Sequence, residues 1–141
     1  MEPFNVLTAV AAPLSTQKAG ADSAWPLDGS AYRHAKIVVT GARLGRDTDY
    51  AARRLADRGI RCVISSAIED LFSSTCVGSG ILPIALPAPE VEILLADAEN
   101  PESALMTIDL PKQEIVRAGG LVVKFRIDRS VKQRLMQGAA R

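Results

Sequence analysis

The chain has 141 residues, 48% of them hydrophobic, which is enough to bury a core of its own. Lys and Arg number 17 against 16 Asp and Glu, a formal charge of +1, so no overall field favours nucleic acid or an acidic membrane. No basic start leads into a long apolar stretch, and nowhere do about 18 apolar residues run together as a membrane-spanning helix requires; the expectation is a soluble, cytoplasmic protein forming one domain over residues 1–141.

Residues 6–10 read as a first strand, after which Ala11-Ala12-Pro13-Leu14 breaks the pattern and a small, polar stretch over 15–23 reads as loop. Trp25, the single tryptophan, suits a hydrophobic anchor. His34, the single histidine, has no ligand-type companions beside it and reads as a surface residue. Ile37, Val38 and Val39 form a short β-branched run ending at Thr40-Gly41, the mark of a buried strand. Asp47, Thr48 and Asp49 then supply acceptors for the free amides of a helix start, so a helix is predicted over about 47–58, stopped by Gly59. A second apolar run, IRCVI over 60–64, follows directly, which predicts a βαβ unit with parallel strands and its chemistry at the strands' carboxyl ends.

Ile68, Leu71 and Phe72 have the spacing of one helical face, so 67–75 is predicted as a helix ended by Gly78 and Gly80, with Glu69 and Asp70 on its solvated side. Strand 81–86 follows, and Pro83 within it argues for an edge position or a bent entry. Val91, Leu94 and Leu95 predict a helix over 87–98; strands over 105–110, 114–116 and 121–127 alternate with turns at Pro111-Lys112 and Gly119-Gly120. Asp128 can cap a last helix holding Val131, Leu135 and Met136. Cys62 and Cys76 are too few and too far apart for a disulfide framework or a metal knuckle and read as reduced packing residues. No metal-ligand pattern occurs in the chain.

The segment GIRCVISSAIEDLFSSTCVGSGILPIAL resembles the matching segment of 3-isopropylmalate dehydratase (isopropylmalate isomerase) small subunits, which have a strand, an Ala-Asp-Ile-Phe-like helix, Asn-Cys, and Gly-Leu-Leu-Pro-Ile. The opening PFNVLTAVAAPL and the tail FRIDRSVKQRLMQG are similar to that family's ends. The resemblance implies an α/β fold of the swivelling β/β/α type shared by the aconitase C-terminal domain and the isopropylmalate isomerase small subunit. It also implies a hydro-lyase of leucine-biosynthesis type that isomerises a small hydroxy-dicarboxylate by dehydration and rehydration. The cofactor, a 4Fe-4S cluster, would then sit on a large partner subunit and none on this chain.

Two stretches depart from the family pattern. Between Pro26 and Ala35 the family inserts a long segment over the substrate, whereas this chain has only 27–34, too short at about 3.3–3.6 Å per residue to reach across a neighbouring subunit. In the loop before it, only Asp22 matches the family's acidic positions; on turn chemistry alone Asp22 is a loop carboxylate bonding nearby amides. The family's catalytic turn reads Gly-x-x-Phe-Gly-Cys-Gly-Ser-Ser-Arg-Glu-His-Ala. Aligned back from Gly59, this chain puts Arg46 and Asp47 at the two serines, Thr48 at the arginine, Asp49 at the glutamate and Tyr50 at the histidine. The serine base and the arginine clamp are thus replaced, and no catalytic residue carries over.

Substitutes are available for binding. Arg43 and Arg46 flank a helix start that favours an anion, and Thr48 stands in the first turn of that predicted helix, so Arg43, Arg46, Thr48 and Asp22 are the candidate substrate-binding residues. Asp47 and Asp49 oppose an anion there and equally suit a capped helix with solvated arginines. Three readings therefore stay open at this point: a hydro-lyase subunit with a remodelled turn, an inactive paralogue kept as a binding or regulatory module, and a free-standing small-anion binder.

Overall fold

The structure is a computed structural model and describes residues 6–14, 35–40, 43–44, 55–57, 59–100, 102–127 and 129–138. Its strands are β1 (Val6–Leu14), β2 (Ile37–Thr40), β3 (Arg43–Leu44), β4 (Cys62–Ser65), β5 (Ala67–Ile68), β6 (Leu82–Ala85), β7 (Leu105–Asp109), β8 (Glu114–Val116) and β9 (Val122–Lys124). The helices are α1 (Asp70–Gly78), α2 (Ala88–Glu99) and α3 (Arg129–Gly138), and residues 55–57 are also helical. Seven strands form one sheet in the order β6-β4-β2-β1-β7-β8-β9, and β3 pairs with β5 in a separate ladder.

The parallel half, β6-β4-β2-β1, is built from the apolar runs expected of strands covered on both faces. Ile37, Val39, Cys62 and Ile64 point into one core cluster with Val91, Leu94 and Ala98 of α2, while Val38 and Val63 point into the other with Leu55, Phe72 and Cys76. Both helix-to-strand junctions on that second face close in the same way. Gly59 has φ +90 and donates to the Ala56 carbonyl at 3.0 Å, while Ile60 reaches back to Leu55 at 3.0 Å. Gly80 has φ +83 and donates to Val77 at 3.1 Å, while Ile81 reaches back to Cys76 at 2.8 Å. Each is a Schellman closure with a left-handed glycine, and its accompanying apolar pair, Leu55–Ile60 or Cys76–Ile81, is buried in the same cluster. The stop at Gly59 and the parallel pairing of the strands on either side agree with the sequence reading, as does Pro83 on an edge strand.

Three expectations are corrected. Residues 11–14 do not break the first strand: β1 runs on to Leu14, pairing with β7 over 6–10 and with β2 over 11–14. Pro13 is tolerated because the Lys36 N–H bonds to the Val10 carbonyl, which by alternation turns Pro13 toward the side where β7 has already ended. The helix predicted from Ala67 begins at Asp70, since Ala67 and Ile68 are spent on β5; it ends at Gly78, and the left-handed Gly80 closes the turn after it, as expected. Finally, Arg43 and Leu44, read only as part of the turn that leads to the predicted helix start, form β3.

Candidate functional site

The parallel register lines up the carboxyl ends of four strands. Leu14 is opposite Thr40, Val39 is opposite Ile64 one residue before Ser65, and Ser65 is opposite Ala85. This row includes β1, from which the sheet runs one way through β2, β4 and β6 and the other way to β7, and open α/β sheets bind ligands outside the carboxyl ends of strands where the strand order reverses. The segments leaving Leu14 and Thr40 therefore start as neighbours about one strand spacing, roughly 4.8 Å, apart. Those are the segments that contain Asp22 and the turn carrying Arg43, Arg46 and Thr48.

Thr40 and Ser65 are the two fully buried polar residues of the described core, and both stand in this row. Ser65 Oγ accepts the Ala67 N–H at 3.2 Å, a hydroxyl turn that swings the chain out of the main sheet and into β5. The Ser65 carbonyl accepts from Leu86 at 3.0 Å, which holds the end of β6 alongside. β5 then pairs with β3, Arg43 opposite Ala67 and Leu44 opposite Ile68. The stretch after β2 is thereby fastened to the stretch after β4. Glu69 follows in extended conformation, φ −80 and ψ 157, and α1 opens with the Ser73 N–H bonded to the Glu69 carbonyl at 2.9 Å.

Of the predicted binding residues, Arg43 is placed by its backbone in β3, and Arg46, Thr48 and Asp22 lie outside the described residues. So do Asp47, Asp49, Tyr50, Trp25, His34 and Asp128. The structure thus brings Arg43 to the strand-end row, against β5. Sequence reasoning missed the β3–β5 ladder itself. The signal present was Ser65-Ser66 directly after an apolar strand, where a hydroxyl can turn the chain. Glu69 and Asp70, expected on one solvated helix face, instead mark the start of α1, with Asp70 exposed and Glu69 half-buried.

Cys62 and Cys76 are buried and not disulfide-bonded, and burial pushes the Cys62 thiol far up, with a smaller push from nearby Cys76. A thiol held protonated in this way is a poor iron or zinc ligand. Among the described residues no group of three or more His, Cys, Asp and Glu is arranged to hold a metal ion, and no helix is long and apolar enough to cross a membrane.

The family model for the aconitase C-terminal domain matches residues 7–89, and the LeuD_N model matches residues 92–129. The 3-isopropylmalate dehydratase small subunit of Parvibaculum lavamentivorans is 35% identical over 173 aligned positions, covering 98% of this chain and 86% of that protein. Those 173 positions exceed the 141 residues of this chain by 32, so the relative carries at least that much additional sequence. The same subunit from Roseobacter denitrificans is 41% identical over 79% of this chain but only 57% of its own length, and that of Xanthobacter autotrophicus is 43% identical with the same coverage. The chain thus spans little more than half the length of several relatives. In fold, it is similar to the crystal structure of 3-isopropylmalate dehydratase (leuD) from Methanocaldococcus jannaschii, with TM-score 0.62 and 17% identity over 91% of this chain and 86% of that one. With the family models covering both halves and a relative matched along nearly its whole length, the chain belongs to the 3-isopropylmalate dehydratase small-subunit family, with the aconitase C-terminal type of fold.

Proposed function

We propose that this chain is the small, non-autonomous subunit of a hydro-lyase that isomerises a hydroxy-dicarboxylate of the isopropylmalate kind, in one domain over residues 1–141 and in the cytoplasm. The carrying observation is the strand-end row, where the segments after Leu14 and Thr40 start side by side and the second is fastened through β3 to β5. A large subunit completes the enzyme in this reading. The family resemblance puts a 4Fe-4S cluster on that partner, where it would supply Lewis-acid pull on the leaving hydroxyl, and the buried Cys62 of this chain, its thiol held protonated, does not suit a cluster.

The part of this chain would be to bind and orient. Arg43 and Arg46 supply positive charge for a substrate carboxylate, with Arg46 as the clamp that replaces the family arginine. Asp22 and Thr48 supply hydrogen-bonding groups on the two neighbouring segments. Removal of the carbon-bound proton would fall to Thr48 or to a group of the large subunit, because Arg46 and Asp47 stand where the family has serines. Those replacements favour one other reading, a paralogue that keeps the fold for binding or regulation without turnover.

The test is a hydro-lyase assay on 2- and 3-isopropylmalate with this chain mixed with a reconstituted large subunit, against the large subunit alone. Turnover above that control supports the enzyme reading, and Arg46→Ala should then raise KM more than it lowers kcat. A formed complex with no turnover establishes the paralogue instead.

A further inference from the structure

A cavity of about 200 Å³ lies between the end of β5, the start of α1, edge strand β6 and the start of α3. It is smaller than the roughly 300–1,000 Å³ of pockets for drug-sized ligands and has room only for a small molecule. Ile68, Ile127 and Val131 line it with branched aliphatic surface, and Pro83 and Ala85 of β6 add apolar wall. Its polar groups are Asp70, Ser73 and Arg126. Asp70 and Arg126 are exposed, and neither makes a hydrogen bond or ion pair with a described residue. The two opposite charges share one cavity without neutralising each other.

We propose that this cavity binds a small zwitterion with a branched aliphatic tail, an α-amino acid of the leucine or valine type. The carboxylate pairs with the Arg126 guanidinium, which presents two parallel donors, and the ammonium pairs with the Asp70 carboxylate. Ser73 offers a hydroxyl to either group, and the tail packs against Ile68, Ile127 and Val131. The charge pair also rejects alternatives. A dicarboxylate meets repulsion from Asp70, and a simple amine meets repulsion from Arg126, so only a ligand carrying both charges is matched at both ends. Asp70 lies in the first turn of α1, where the helix dipole favours its negative charge. The site uses none of the residues assigned to isopropylmalate binding, and its test needs no large subunit.

The experiment is an amide chemical-shift titration of the full chain with L-leucine, 4-methylpentanoate and 3-methylbutylamine. L-Leucine should give saturable shifts at Ile68, Ser73 and Ile127, and each analogue, lacking one charge, should bind about tenfold more weakly, the equivalent of one lost charge-assisted contact. Arg126→Gln and Asp70→Asn should each weaken L-leucine by a similar factor. Should either variant fail to fold, the analogue series on the unaltered chain decides alone. Absence of saturable shifts, or 4-methylpentanoate binding as tightly as L-leucine, would overturn the proposal.

Discussion

The two halves of the sheet are held by different means. In the parallel half, β2 and β4 are buried along their whole length and on both faces, so register is enforced twice and the strand ends fall into a straight row. In the antiparallel half only one face is buried: Met106, Ile108 and Ile115 point inward, while Thr8 and Thr107 share an exposed hydroxyl bond of 2.9 Å on the other side. That half is tied down laterally. Arg117 makes a two-bonded ion pair with Asp97 of α2, Nε to Oδ2 at 2.6 Å and Nη2 to Oδ1 at 3.1 Å. The Ser103 hydroxyl adds a bond to the Asp97 carbonyl at 2.9 Å. A candidate site belongs on the doubly buried half because its loops leave from a frame that cannot slip, whereas the meander needs only to cover the core.

The contrast can be broken by mutation, and the largest effect is expected in the doubly covered half. Phe72→Ala removes a fully buried ring and should cost about 3–5 kcal/mol in urea unfolding. A loss under 1 kcal/mol would mean that the second face contributes little to register. The Cys62 thiol gives a pH test of the same half. Its folded-state pKa is raised, so the stability it contributes is intact below the ordinary thiol range and falls once the unfolded thiol ionises, above about pH 8.5. The unaltered chain should lose about 1.4 kcal/mol more per further pH unit than Cys62→Ala, and neither cysteine should react with a thiol reagent faster than the protein unfolds.

The helix closures give the next effect. Gly59→Ala and Gly80→Ala should each cost about 1–2 kcal/mol for placing a side chain at positive φ. The near equality is itself informative: a Cβ at Gly59 would meet only the mobile Lys36 ammonium at 3.3 Å, and one at Gly80 meets nothing, so a much larger cost at Gly59 would reveal crowding. The smallest effect belongs to the meander. Asp97 and Arg117 keep 14% and 24% of their side-chain exposure, so a double-mutant cycle should give a coupling of about 1 kcal/mol, reduced by salt. A coupling several times larger would make the ion pair, rather than the one-sided core, the main restraint on that half.

The doubly buried half was also the more legible in the sequence. Ile37 to Val39 and the IRCVI run announce strands because continuous apolar residues suit two covered faces, and the left-handed glycines that close the two helical segments on the second face are visible as Gly59 and Gly80. What escaped was local and short. A two-residue ladder such as β3–β5 has no periodicity to read, and Ile68 shares a helical spacing with Leu71 and Phe72 although its backbone is spent on β5. Pro13 looked like a break because its tolerance depends on β7 reaching no further than Leu105, 92 residues away. The strand ends were legible as a place, and the backbone of Arg43 runs in β3 beside β5. The candidate site's chemistry was not legible, because the residues that carry the family's reaction are replaced in the turn where they would be sought.

The central claim is that this frame is that of a dehydratase small subunit and therefore presents the face that a large subunit recognises. Native mass measurement of the chain mixed with a large subunit that already binds another small subunit of the family addresses it most directly. The expected result is a complex at the summed mass, displaced by the other small subunit added in excess. A chain that stays alone under conditions where the other small subunit assembles would contradict the claim.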